Sequence, residues 1–207
     1  MKPPAKNSPW KTFHTRPEDG SEAGDYYDST ESERYAESNA MRRIQRQLTL
    51  RALELAQITL SSSVLDAGCG TGFSLEVLKE VGYNRIAGFD AVPALLKHAR
   101  AKGFAVKKGD LREIPFKDGL FDSIISVSAL QWILAEKTVE NASKAAQEFW
   151  RVLKPNGIVV IQFYPRSEEE AMLAAKAFRA KGFAVRLITD NPQNPRKRKV
   201  FLLLKKP

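Results

Sequence analysis

The sequence holds a single cysteine, Cys69, so no internal disulfide can form. Its two histidines, His14 and His98, are distant from Cys69 and from each other, which leaves no donor set for a built-in zinc site. We therefore expect no bound metal in this chain, and any structural zinc would belong to a partner. No apolar run approaches the roughly 20 residues that a membrane-spanning helix requires. Residues 1–9 are polar and proline-rich, without the apolar centre of a signal peptide. These absences lead to the expectation of a cytoplasmic protein that does not associate with a membrane.

Acidic residues are scarce at one end. Basic and acidic side chains number nine each in residues 1–60 and thirteen against eleven in 61–160, but eleven against four in 161–207. The net charge of +9 thus sits near the C-terminus, where clustered cations suit a polyanion. With 43% hydrophobic residues in 207, the chain can bury a sizeable core.

In chain order, prolines 3, 4, 9 and 17 with Gly20 and Gly24 predict an irregular arm over residues 1–30. One helix is expected from Ser32 to Ile58, with Ile44, Leu48, Leu50, Leu53, Leu55 and Ile58 inward and Arg42, Arg43, Arg46 and Arg51 on a solvated face. Strands are expected at 63–67, 85–90, 104–109, 121–127, 157–163, 183–189 and 199–204, and helices at 72–81, 93–102, 128–135, 138–153 and 167–181. Alternation of strand and helix implies a parallel sheet covered on both faces. The last two strands have no helix between them and form an antiparallel hairpin. The repeated Ala-Lys-Gly-Phe-Ala-Val at 101–106 and 180–185 marks two helices stopped by glycine, not a repeat architecture.

The central stretch is Val64 to Ser74, an apolar strand ending in Asp66, glycines at 68, 70 and 72, then a helix-forming run. A sharp turn with close ligand approach demands glycine. The dinucleotide fingerprint Gly-x-Gly-x-x-Gly is not met, because position 73 is Phe. Acid-x-Gly-x-Gly-x-Gly instead resembles the first motif of the S-adenosylmethionine methyltransferases with a Rossmann-like core. Ligands in such sheets bind beyond the carboxyl ends of the strands, where Asp66, Asp90, Asp110 and Ser126 stand. Asp90 is placed to accept from ribose hydroxyls, and Asp110 from an adenine amino group with Ala91 and Leu111 flanking the ring. Asp66 would brace the turn and order the methionine end. Each acid alone could instead be a helix cap. Cys69 reads as a small residue that the turn accepts, without a nucleophilic role.

Further segments carry a more specific resemblance: Arg16-Pro17-Glu18, Tyr26-Tyr27-Asp28, Arg34-Tyr35, Arg51 to Leu55, Ile114-Pro115-Phe116, Ser126 to Trp132, and Gln162-Phe163-Tyr164-Pro165. In this order they are similar to the eukaryotic small-subunit (18S-type) ribosomal RNA guanine-N7 methyltransferase family. The family's basic tail does not follow Pro207, a trimming that resembles an archaeal relative, and Ala40 stands where the family carries arginine. The resemblance implies a class I methyltransferase with a seven-stranded, mostly parallel sheet, a terminal antiparallel hairpin and helices on both faces. Residues 1–60 would form an arm and packing helix, and 61–207 the S-adenosylmethionine-dependent domain.

It further implies that Tyr35 covers the cofactor's methionine end, with helix packing as the alternative. Cofactor contacts would come from Tyr35, Asp66, Gly68, Cys69, Gly70, Gly72, Asp90, Ala91, Asp110, Leu111 and Ser126. The substrate would be ribosomal RNA in the small ribosomal subunit, with Trp132 or Tyr164 stacking on an extruded guanine and Gln131 or a backbone group reading its edge. Arg196, Lys197, Arg198 and Lys199 would contact phosphate, or else form a solvated loop. A small zinc-binding activator protein would add a strand to the edge of the third strand, although Lys107 and Lys108 are the kind of edge charge that opposes pairing. Two rivals remain: a small-molecule or protein methyltransferase, and a ribosome-assembly binding factor.

Overall fold

The computed structural model describes residues 16–135 and 137–207. The irregular arm expected over 1–30 lies in part outside them, since residues 1–15 are not described. Seven strands form one sheet: β1 Ser63–Ala67, β2 Arg85–Asp90, β3 Val106–Lys108, β4 Phe121–Val127, β5 Leu153–Phe163, β6 Ala184–Asp190 and β7 Lys199–Lys205, in the order β3-β2-β1-β4-β5-β7-β6. The first five are parallel, and β7 runs antiparallel to both β5 and β6.

The helices are α1 Ala23–Tyr26, α2 Ser29–Glu37, α3 Asn39–Ala56, α4 Phe73–Val81, α5 Pro93–Ala101, α6 Leu130–Leu134, α7 Thr138–Val152 and α8 Glu168–Lys181. Alternate strand residues separate two cores. Leu65, Ile124, Val159, Ile161 and Leu202 pack under α7 and α8, while Val64, Ile125, Val160 and Phe201 pack under α3 and α4. Period-two alternation over a doubly covered sheet sends the side chains of the central strands alternately into these two layers. Gly103 and Gly182 both stop their helices with positive φ, 82° and 118°, as the duplicated hexapeptide predicted.

Three expectations are corrected. The long N-terminal helix is two helices, broken at Ser38, which ends α2 and caps α3 by accepting from the Met41 N–H at 3.3 Å. The inward face of α3 runs through Gln45, Leu48, Thr49, Ala52 and Ala56, while Ile44 and Leu50 are 38% and 39% exposed. Small residues let α3 lie close on α4, where the Thr49 and Ser74 hydroxyls meet at 2.8 Å. Leu48, Leu53, Leu55 and Ile58 do pack in or against the core as expected, but the close contact with α4 selects small side chains and leaves Ile44 and Leu50 outward. Finally, residues 16–27 contain a 3₁₀ turn, Pro17–Asp19, and α1, rather than irregular chain throughout.

Three of the arginines of α3 are held by acids. Arg42 pairs with Glu76, Arg46 with Glu80, and Arg51 with Glu54 and Asp190. No described helix is long and apolar enough to cross a membrane. Replacing the cap, Ser38→Ala, should lower stability by about 0.5–2 kcal/mol in urea denaturation.

Candidate active site at the carboxyl ends of the strands

The glycine turn is tied to the end of β2. The N–H groups of Gly68 and Cys69 both donate to the Phe89 carbonyl at 2.9 Å, and the Gly70 N–H donates to Asp90 Oδ2 at 2.8 Å. Asp90 Oδ1 accepts from the Val92 N–H at 2.9 Å. Gly68 and Gly70 take φ of 82° and 50°, and a Cβ on Gly68 would stand 2.3 Å from that of Ala129. The turn therefore closes only with glycine there.

Above it lies a cavity of about 890 Å³, within the usual range for small-molecule sites. Of the predicted residues, Tyr35, Gly68, Cys69, Gly70, Asp90, Ala91, Asp110 and Leu111 line it, as do Gln131, Trp132 and Tyr164. The remaining predicted positions do not. Gly72 caps α4 with φ 85° and faces Ala99 and Phe104, so it serves helix packing. Ser126 is fully buried and donates to the Ala67 carbonyl at 2.7 Å, joining β4 to β1. Asp66 is 1% exposed at the end of β1 and does not line the cavity. Arg196 to Lys199 stand outside it, in the β6–β7 hairpin and the start of β7.

The acids differ in their surroundings. Asp110 makes a two-pronged pair with Arg112, at 2.7 and 2.8 Å, and accepts from the Arg112 N–H. Its pKa is lowered by these bonds against the opposing effect of burial, and its carboxylate faces a cation as well as the cavity. Burial raises the pKa of Asp90 despite its backbone hydrogen bonds. Asp66 is pushed up to about 8, first by burial and then by the Asp90 charge, and its Oδ2 has no hydrogen-bond partner. Burial likewise pushes the Cys69 thiol up, which leaves it a poor nucleophile.

Sequence reasoning missed a network and a wall. Ser128, with φ 58°, donates from both N–H and Oγ to Gln162 Oε1 at 3.1 and 3.0 Å, and Gln45 Nε2 donates to the Ser128 hydroxyl at 3.3 Å. A buried glutamine in a strand thereby fixes a left-handed serine and aims the segment Ala129–Trp132. Gln131 Nε2 donates to the Ser128 carbonyl at 2.9 Å, while its Oε1 is buried without a partner. The wall is aromatic. Tyr26 and Tyr27 sit 5.7 and 5.6 Å from Trp132, and Tyr35 lies between Tyr27 and Phe73, 5.6 Å from each. Burial raises the Tyr27 and Tyr35 phenols, so both stay neutral. The tyrosine doublet was visible as a motif, but no local signal placed it against a tryptophan about a hundred residues away.

The N-terminal turn closes the cavity. Arg16 donates to the carbonyls of Tyr164 and Pro165 at 2.5 and 3.2 Å, and Arg166 pairs with Asp19 at 2.7 Å. Lys199 Nζ donates to the Tyr164 hydroxyl at 3.2 Å and lies 4.9 Å from the ring centroid, which attaches the hairpin to the cavity rim.

Because Asp66 keeps its proton in the folded state while the unfolded chain releases it above about pH 4, the folded form binds more protons between these values. Stability from this group is greatest in acid and falls as pH rises toward 8. Asp66→Asn should flatten that fall, read as urea midpoints at pH 5 and pH 8. A fall of the same size in the variant would exclude Asp66 as its source.

The comparisons with known proteins follow this geometry. A family model described as a methyltransferase domain matches residues 65–161. In solved structures, a putative methyltransferase in complex with the Haloferax volcanii Trm112 methyltransferase activator superposes with a TM-score of 0.66 at 20% identity, covering 86% of this chain and 98% of that one. Magnesium protoporphyrin IX methyltransferase of Synechocystis, with bound SAM, gives 0.65 at 19% identity over 89% and 95%. At such identity these show the fold alone. The Bos taurus 18S rRNA (guanine-N(7))-methyltransferase is 35% identical, covering 86% of this chain and 67% of that protein. The bud23 enzyme of Schizosaccharomyces pombe, named 18S rRNA (guanine-N(7))-methyltransferase, is 32% identical over 92% of this chain and 74% of its own length. On that likeness, this chain belongs to the 18S rRNA (guanine-N(7))-methyltransferase family.

Proposed function

We propose that this protein transfers a methyl group from S-adenosylmethionine to N7 of a guanine in small-subunit ribosomal RNA. The observation that carries the reading is the pairing, in one cavity, of the Gly68–Asp90 turn with Gln131 Oε1, a buried acceptor without a partner beside Trp132. The residues present fit the cofactor. Thr71 Oγ1, also buried and without a partner, lines the cavity beside the turn, and Leu111 supplies apolar surface next to Asp110. Tyr35, Gly68, Cys69, Gly70, Asp90, Ala91, Asp110 and Leu111 would hold it, with Asp66 bracing the turn from below.

When bound, the cofactor supplies an electrophilic methyl on a sulfonium. The protein's work is alignment. Guanine N7 carries a lone pair and no proton, so the reaction requires no general base. Holding the base in line can lower such a barrier by roughly 7–11 kcal/mol. Trp132, braced by the tilted rings of Tyr26 and Tyr27, offers a rigid face for the purine, and Tyr164 stands at the rim beside Lys199. Gln131 Oε1 would accept from the second N–H of the base's 2-amino group.

Two partners follow. Arg196 and Lys197 are exposed on the hairpin that follows the cavity rim, where phosphate of the RNA would meet them. A small zinc-binding activator would add a strand to β3, the outermost strand of the sheet. Lys107 turns its ammonium back to the Pro115 carbonyl at 3.2 Å and over the Phe116 ring, which leaves the edge less guarded than its sequence implies.

Incubation with tritiated S-adenosylmethionine and small ribosomal subunits, with and without the activator, tests the reading. Label is expected at one guanine, absent with Asp90→Ala; Trp132→Ala should abolish turnover while cofactor affinity persists. Cofactor binding without label in any RNA would favour a small-molecule or protein substrate. Replacing Arg196, Lys197, Arg198 and Lys199 by serine should reduce the salt slope of RNA binding by about three to four units. An unchanged slope would remove the hairpin from the RNA surface.

A further inference from the structure

One ionisable group in the cavity has no part in the reading above. Glu18 lies in the 3₁₀ turn Pro17–Asp19, lines the cavity and is only 8% exposed. Leaving a carboxylate in such a place is costly unless something compensates it. Its nearest cation, Arg16, is 3.9 Å away, and that guanidinium is directed at the carbonyls of Tyr164 and Pro165. Burial raises the Glu18 pKa, and the charges acting on it come from Arg16, Asp19 and Arg166. These all belong to the turn and to the loop after β5. Glu18 therefore stands on the β5 side of the cavity with Tyr164, across the sheet from Asp90 and Asp110.

A carboxylate has about four acceptor sites, more than its own amide and Arg16 at that distance fill. The chemistry it suits is a neighbour with two adjacent donors. Among the four RNA bases only guanine offers that, as N1–H beside the 2-amino group on its Watson–Crick edge. That edge faces away from N7, so a guanine seated on it would turn N7 toward the rest of the cavity. Methylation also places positive charge on the purine and makes N1–H a stronger donor. A hydrogen bond from N1–H to a carboxylate thus tightens as the reaction proceeds, which lowers the barrier rather than only aiding binding.

We infer that Glu18 is the specificity-determining residue that accepts from N1–H and the 2-amino group of the target guanine. This rests on the guanine-N7 reading above. The turn that carries Glu18 is then part of the substrate site, latched by Arg16 and by the Asp19–Arg166 pair.

The test uses the full chain and two synthetic RNAs spanning the labelled site, one with guanosine there and one with inosine, which lacks the 2-amino group. The wild type should prefer guanosine by about tenfold or more in kcat/KM. Glu18→Gln should lose about tenfold to a hundredfold on guanosine, chiefly in kcat, and the guanosine-to-inosine ratio should shrink toward one. Cofactor affinity and melting temperature should stay at wild-type values. An undiminished ratio in Glu18→Gln overturns the inference. If that variant does not fold, the wild type alone decides, since equal rates on the two RNAs overturn it as well. Failure of the wild type to methylate the guanosine RNA is a failure of the guanine-N7 reading itself, visible before any variant is made, and it withdraws both.

Discussion

The site depends on one shared acceptor. Gly68 and Cys69 both donate to the carbonyl of Phe89, and the next residue of β2, Asp90, receives the Gly70 N–H. Three successive amides of the turn are thereby pinned to the end of the neighbouring strand. That pinning sets where α4 begins, holds Asp90 at the cavity wall, and brings Gly68 so close to Ala129 that the loop after β4 is positioned by the same contact. Loss of that register would shift the acid, the helix start and the substrate loop together.

Electrostatics divide the cavity. Toward β1 and β2, Asp66 and Asp90 are both buried, and the Asp90 charge adds to the cost of ionising Asp66, a destabilising arrangement that a cationic ligand would relieve. Toward β5 the groups are Arg16, Asp19, Glu18 and Arg166, paired among themselves and with backbone carbonyls, while Lys199 holds the Tyr164 hydroxyl at the rim. The acidic end suits a cationic group, and the mixed end presents donors and acceptors together.

The wall around Trp132 is built from distant parts of the chain. Gln162 in β5, Ser128 after β4 and Gln45 in α3 form one hydrogen-bonded set. Tyr26 and Tyr27 from the N-terminal segment support Trp132 in α6. The loop after β5 in turn receives Arg16. Positioning of this kind requires the whole sheet, because no segment of it holds its geometry alone.

The sequence by itself determined the sheet and its cofactor-like end. Period-two apolar runs and glycine stops are local signals, so β1, β2 and β4 begin and end at the residues their patterns predicted, and Gly68 and Asp90 were legible as cavity residues from strand ends and turn chemistry, whereas Asp66 was not. Less was legible where packing, not pattern, decides. The inward face of α3 was misread because close helix contact favours Ala52 and Thr49 over leucine. Ser126 and Gly72 were taken for cavity residues because strand-end position does not say which way a side chain or a glycine faces. The strand order, the seating of Arg16 and Glu18 over the cavity, and the tyrosine support of Trp132 were decided only by tertiary structure, since each joins residues from distant parts of the chain, and such pairings leave no trace in local periodicity.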